Sequence, residues 1–157
     1  MTMSAPLHSI KNFRQATATL ATSGQPQSEH FAAMAAAGYV AVINLALHDD
    51  PRYSLPDESG DVRTAGMNYI HIPVLFDQPT QSALTAFMDA MEQYQGKQLW
   101  VHCAANMRVT AFLGLYHVLR LGQQRQQAFA LMHSVWEPNA VWAAFIEAML
   151  SSSPPAN

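Results

Sequence analysis

The sequence predicts an α/β fold: one domain with a central, mostly parallel sheet of four to five strands and helices on both faces. Three observations predict it. Residues 39–45 (YVAVINL) form an apolar, β-branched run of the kind buried on both sides of a parallel sheet. A helix-patterned segment closed by Gly38 precedes that run, so helix, glycine stop and strand follow in order. Residues 98–102 then read as a short apolar strand that passes through a tight turn into an apolar helix.

The elements follow along the chain. Residues 1–15 are mixed and read as an arm, and residues 16–21 (ATATLA) as an edge strand. A turn cluster, residues 22–27, leads to a helix with Ser28 as N-cap, Phe31, Met34 and Ala35 on one face, and Gly38 just past its end. After the 39–45 strand, residues 46–60 carry two prolines and four acidic side chains at the ligand-facing edge of the sheet. Residues 61–65 give a helical turn ending at Gly66, and residues 68–73 a strand stopped by Pro73. Thr80 is the predicted N-cap of a helix bearing Leu84, Phe87, Met88, Met91 and Tyr94 at helical spacing, closed by Gly96. The 98–102 strand comes next, and residues 110–121 are apolar almost all round, as a central helix is. Two further helices, about 125–136 and 139–151, precede the SSSPPAN tail. The expected domain is 1–157, with its core at about 16–151.

Composition narrows the function. Of 157 residues, 50% are apolar and 12% charged, with 8 basic against 11 acidic side chains and no basic stripe. That argues against nucleic acid as a partner. No apolar run approaches the ~20 residues that span a bilayer. The single cysteine requires no oxidising compartment, and the first 15 residues lack a secretory apolar region. A cytoplasmic protein with no membrane partner is expected.

The chemistry gathers at residues 99–114 (LWVHCAANMRVTAFLG). A free cysteine is commonly a small core hydrophobe. Cys103, however, ends a strand just before a helix N-terminus, where α/β folds bind anions. Helix amides and the nearby Arg108 favour the thiolate, the nucleophilic form. The planar fork of Arg108 can hold two oxygens of a tetrahedral oxyanion. His102 precedes the cysteine on a strand, so its side chain points to the opposite face and orients the loop. Asp77, in the loop after the 68–73 strand, is the leading general-acid candidate, with Asp49, Asp50, Asp57 and Glu58 as alternatives. The other histidines show no ligand spacing and there is no second cysteine, so a structural zinc site is unsupported.

SGQP at 23–26, GYVAVINL at 38–45, YIHIPV at 69–74 and HC at 102–103 occur in that order. In this layout the chain resembles the bacterial phosphatase-like proteins often labelled beta-lactamase-hydrolase-like, a branch of the dual-specificity and tyrosine phosphatase superfamily. The resemblance covers about residues 18–121. It implies a cysteine-phosphatase-like fold and a phosphomonoester hydrolase working through a phosphocysteine. Cys103 would be the nucleophile and Asp77 the acid. Arg108 and the loop residues Ala104, Ala105, Asn106, Met107 and Thr110 would bind substrate, without metal or cofactor. A phosphorylated protein or small phosphoester is the implied partner, with phosphate or sulfate as simple ligands.

One departure opens a choice. The superfamily pattern is HC-x5-R followed by Ser or Thr, whereas Cys103 to Arg108 is C-x4-R. Either the loop is one residue shorter and Arg108 keeps its role, or nothing is deleted. In the second register Asn106 takes the loop glycine's place, Val109 the arginine's, and Thr110 the hydroxyl residue's, close enough to bond the thiolate. Asn is the side-chain-bearing residue best suited to positive φ. Ala46 also stands where the family usually has an arginine. Besides the hydrolase, two alternatives stay open: a catalytically weak or inactive phospho-ligand binder, and a sulfur-transfer protein using Cys103.

Overall fold

The computed structural model describes residues 6–152. A 3-10 turn at Leu7–Ser9 leads into β1 (Arg14–Gln15), then β2 (Leu20–Ser23), α1 (Ser28–Ala36) and β3 (Ala41–Asn44). These are followed by α2 (Glu58–Thr64), β4 (Asn68–His71), α3 (Gln81–Gln93), β5 (Leu99–His102) and α4 (Met107–Leu119). Three helices end the chain: α5 (Arg125–Ala128), α6 (Ala130–Val135) and α7 (Ala140–Ser152). The sheet order is β1-β2-β5-β3-β4, and every pairing is parallel except β1 with β2. The expected α/β architecture with a mostly parallel sheet is thus present, with five strands.

The strand alternation sorts the core into two layers. Leu99, Val101 and Cys103 face the layer of Leu84, Phe87, Phe112 and Trp142. Trp100 faces the other layer, with Phe31 and Met34 of α1 and Val62 of α2. A strand buried on both faces needs apolar residues at consecutive positions, which explains why β5 lacks a polar side. His102 shares the α2 side with Trp100, and Cys103 the α4 side. α4 is the central helix, its residues from Arg108 to Tyr116 all buried.

Several boundaries differ from expectation. The strand expected at 16–21 lies at Leu20–Ser23 and is interior, between β1 and β5. The edge is β1, within the residues read as an arm, whose first five positions lie outside the described residues. Thr22 and Ser23 therefore belong to a strand and not to the turn cluster. Gln27, not Ser28, caps α1, in a reciprocal pair with His30. α2 begins at Glu58 because the Asp57 side chain accepts from the Gly60 amide. α4 starts at Met107, three residues before the apolar pattern. The helix expected over 125–136 breaks at Phe129 (φ −100°, ψ 7°) into α5 and α6. Thr80 caps α3 as expected, accepting from the Ala83 amide.

Candidate active site

The β5–α4 loop is laced to two neighbouring turns. The Cys103 amide donates to Ser23 O (3.3 Å), and the Gln25 amide to Ala104 O (3.1 Å). Asn12 Nδ2 donates to Ala105 O at 2.9 Å. Gly24 permits this approach, since a Cβ there would lie 2.5 Å from Ala104 O. The carbonyls of Ala104 and Ala105 are thereby drawn away from the cavity. Among the described residues, the N–H groups of Ala104, Ala105, Met107 and Arg108 have no protein acceptor. A run of free amides at a helix N-terminus is an anion-binding arrangement.

These four residues, with Cys103, border one cavity of about 480 Å³, which Lys11, Gln25, Gln27, Arg52, Tyr53 and Phe76 complete. Cys103 is a free, buried thiol in its wall. Arg108 is only 5% exposed. Its Nη1 donates to Val74 O at 2.7 Å, and its guanidinium carbon lies 5.9 Å from the ring centres of both Tyr53 and Phe76. One hydrogen bond and two ring faces hold the guanidinium, leaving most of its donors uncommitted.

The register question has a mixed answer. Asn106 has φ 66°, the left-handed conformation of a loop glycine, and Val109 is fully buried in the core. Both features belong to the register without a deletion. Arg108 nevertheless borders the Cys103 cavity from its own position, one residue earlier on the helix. Asn106 Nδ2 donates to Asn12 O (2.8 Å) and Thr22 Oγ1 (2.9 Å), so its side chain braces the loop and does not reach towards substrate. Thr110 is corrected too. Its hydroxyl donates to Asn106 O (2.8 Å) and also approaches Met107 O (3.1 Å); it is committed to the helix start and not to the thiol. Ala46, in place of the family's usual arginine, is fully buried.

Asn106→Ala is expected to destabilise the protein by about 2–4 kcal/mol, from left-handed strain and the loss of one buried and one part-buried hydrogen bond. Asn106→Gly, which keeps the turn but not the amide, should cost less. Urea denaturation of the two variants measures the difference.

Asp77 is exposed and borders a second recess of about 290 Å³ that shares Arg52, Tyr53, Phe76 and Arg108 with the first. It is not among the residues around Cys103 itself. Of the other carboxylates, Asp50 is paired with Arg52 through two hydrogen bonds (3.0 and 2.6 Å), whose donation holds it down to about 2. Glu58 is removed from the exposed loop. It is 4% exposed, and His102 Nε2 lies 2.6 Å from its Oε2. The other ring nitrogen of His102 is 3.1 Å from Cys103 O. Nothing in the sequence marked Glu58 for this pairing, because the contact spans 44 residues. The alternation that turns His102 away from Cys103 was the available signal. Among the described residues, no group of three or more His, Cys, Asp or Glu is placed to hold a metal ion, and no helix is long and apolar enough to cross a membrane.

A thiol at a parallel strand end, free helix amides above it and an arginine in the same wall define a cysteine-phosphatase-like α/β protein. The chain belongs to the family described as beta-lactamase hydrolase-like protein, phosphatase-like domain, whose model matches residues 12–119. It is 32% identical over 117 residues to the beta-lactamase hydrolase-like protein of Xylella fastidiosa, covering 73% of this chain and 27% of that one. The chain thus spans about a quarter of the length of that relative. A crystal structure of a DUF442 phosphatase candidate from Shewanella putrefaciens CN-32 matches with TM-score 0.81 and 32% identity, over 94% of this chain and 96% of that one. PTPMT1 in complex with PI(5)P shares the fold at TM-score 0.70 and 15% identity, over 90% and 99% of the chains.

Proposed function

We propose that this chain hydrolyses phosphomonoesters, without a metal, through a phosphocysteine at Cys103. The observation that carries the proposal is the set of free amides of Ala104, Ala105, Met107 and Arg108 around the cavity that holds the thiol. Donors preorganised where charge develops are the main source of catalysis in such transfers. In this reading the Cys103 thiolate attacks phosphorus, forming an S–P bond as the P–O bond breaks. The leaving oxygen keeps the electron pair and takes a proton from Asp77. Water then attacks phosphorus, the pair returns to sulfur, and the Asp77 carboxylate accepts the water's proton. The amides and Arg108 hold the three equatorial oxygens throughout.

Lys11 in the lining adds positive potential, and the rings of Tyr53 and Phe76 offer apolar faces to the leaving group. A phosphorylated side chain or a small phosphoester fits this chemistry. The PI(5)P held by the related fold supports the second. We place the activity in the cytoplasm, where a lone cysteine stays reduced.

Hydrolysis of p-nitrophenyl phosphate that survives a chelator and, in a separate assay without chelator, is inhibited competitively by orthovanadate is the expected result. A second reading, a phospho-ligand binder without turnover, draws on the exposed position of Asp77 outside the Cys103 cavity. Phosphate that raises the melting temperature of a protein with no turnover would favour that reading over the first.

A further inference from the structure

We infer that Glu58 is a positioning residue for the nucleophile: its carboxylate holds His102 as an imidazolium that clamps the Cys103 carbonyl and places a positive charge behind the thiol. The inference rests on Cys103 being the reacting group, as proposed above.

The hydrogen bonds fit an ion pair behind the nucleophile. His102 faces two acceptors, Cys103 O at 3.1 Å and Glu58 Oε2 at 2.6 Å. A neutral imidazole carries one N–H and can serve only one of them, whereas the imidazolium serves both. The pair is sealed, with side-chain exposures of 0% for His102 and 2% for Glu58. At that depth the two groups are charged together or neutral together, since one charge alone would be buried unpaired. The second carboxylate oxygen accepts from Gln25 Nε2 at 2.7 Å. The backbone amide of that same glutamine donates to Ala104 O at 3.1 Å. Glu58 therefore reaches the nucleophile loop by two routes, one on each side of Cys103.

The neighbouring groups support an ionised Glu58. Burial opposes its charge, but the pairing with His102 and the hydrogen bond from Gln25 outweigh burial and hold the carboxyl below its usual range. Burial and the Glu58 charge push the Tyr69 hydroxyl up, so it stays protonated. Its oxygen also takes a hydrogen bond from Asn44 Nδ2 (3.0 Å) and lies 2.6 Å from His48 Nε2. His71, stacked 3.6 Å from His48, is pushed down by burial, with repulsion from His48 and His102 adding to it.

The test reads the thiol directly. Cys103 of the purified chain is alkylated with iodoacetamide between pH 5.5 and 9, and the rate is followed by mass spectrometry. Glu58→Gln keeps the shape but allows His102 to become neutral. Its rate at neutral pH should fall about tenfold, the effect of one pH unit in thiolate population, and should meet the wild-type rate near the alkaline end. A purely structural role would change the rate by the same factor at every pH. An unchanged pH profile in a folded variant overturns the inference. The wild-type ¹⁵N spectrum covers a variant that does not fold. Both His102 ring nitrogens should be protonated at pH 7, and one bare nitrogen overturns the inference as well. Neither readout requires phosphatase turnover, so failure of the proposed activity is distinguished from failure of this role.

Discussion

Cys103→Ser is expected to abolish aryl-phosphate hydrolysis, lowering kcat by on the order of 10⁴-fold or more, as loss of an enzymic nucleophile does. The reason is chemical, not spatial. A thiolate is a competent nucleophile at neutral pH, whereas a serine hydroxyl needs an adjacent base, and the nearest imidazole, His102, faces the other side of the sheet. The substitution replaces sulfur by a smaller oxygen at a position 1% exposed. The melting temperature should therefore change by only a few degrees. The amides of Ala104, Ala105, Met107 and Arg108 are untouched, so the variant should still be stabilised by phosphate. Steady-state kinetics beside a thermal melt with and without phosphate read both halves of the result. Turnover that survives in Cys103→Ser would move the chemistry to another group.

Arg108→Met is expected to lower kcat/KM by roughly 10²–10³-fold, the usual cost of losing one preorganised donor to a developing oxyanion. Restoring the family spacing with Arg108→Met/Val109→Arg should not rescue it. Val109 is fully buried among the main core residues. A guanidinium there has no partner and costs several kcal/mol, enough to unfold much of the chain. Urea midpoints together with kcat/KM check the pair. Rescue by the double variant would mean that Arg108 does not act from its shifted position.

The parts that could be read from sequence are those fixed by local pattern. The apolar run before Asn44 and the glycine stops at Gly38, Gly96 and Gly122, all at positive φ, marked the sheet and helix ends. Alternation along β5 gave the opposed directions of His102 and Cys103. The unread parts depend on distant contacts. β1 has two residues and exists because it pairs with β2. Asn106 was legible as a positive-φ candidate. Its bonds to Asn12 and Thr22 span 94 and 84 residues, however, so the brace itself was not. The same holds for Glu58. The position of Arg108 could not follow from spacing, because the anchor on Val74 O and the flanking rings come from two other loops.

The most direct test of the account is to quench the protein during turnover of an aryl phosphate and examine the peptide that carries Cys103. One phosphoryl group on that cysteine is expected, absent from Cys103→Ser and disappearing at the rate of turnover when the quench follows exhaustion of substrate. Turnover with no phosphoryl group on Cys103, or with the group on another residue, would contradict it.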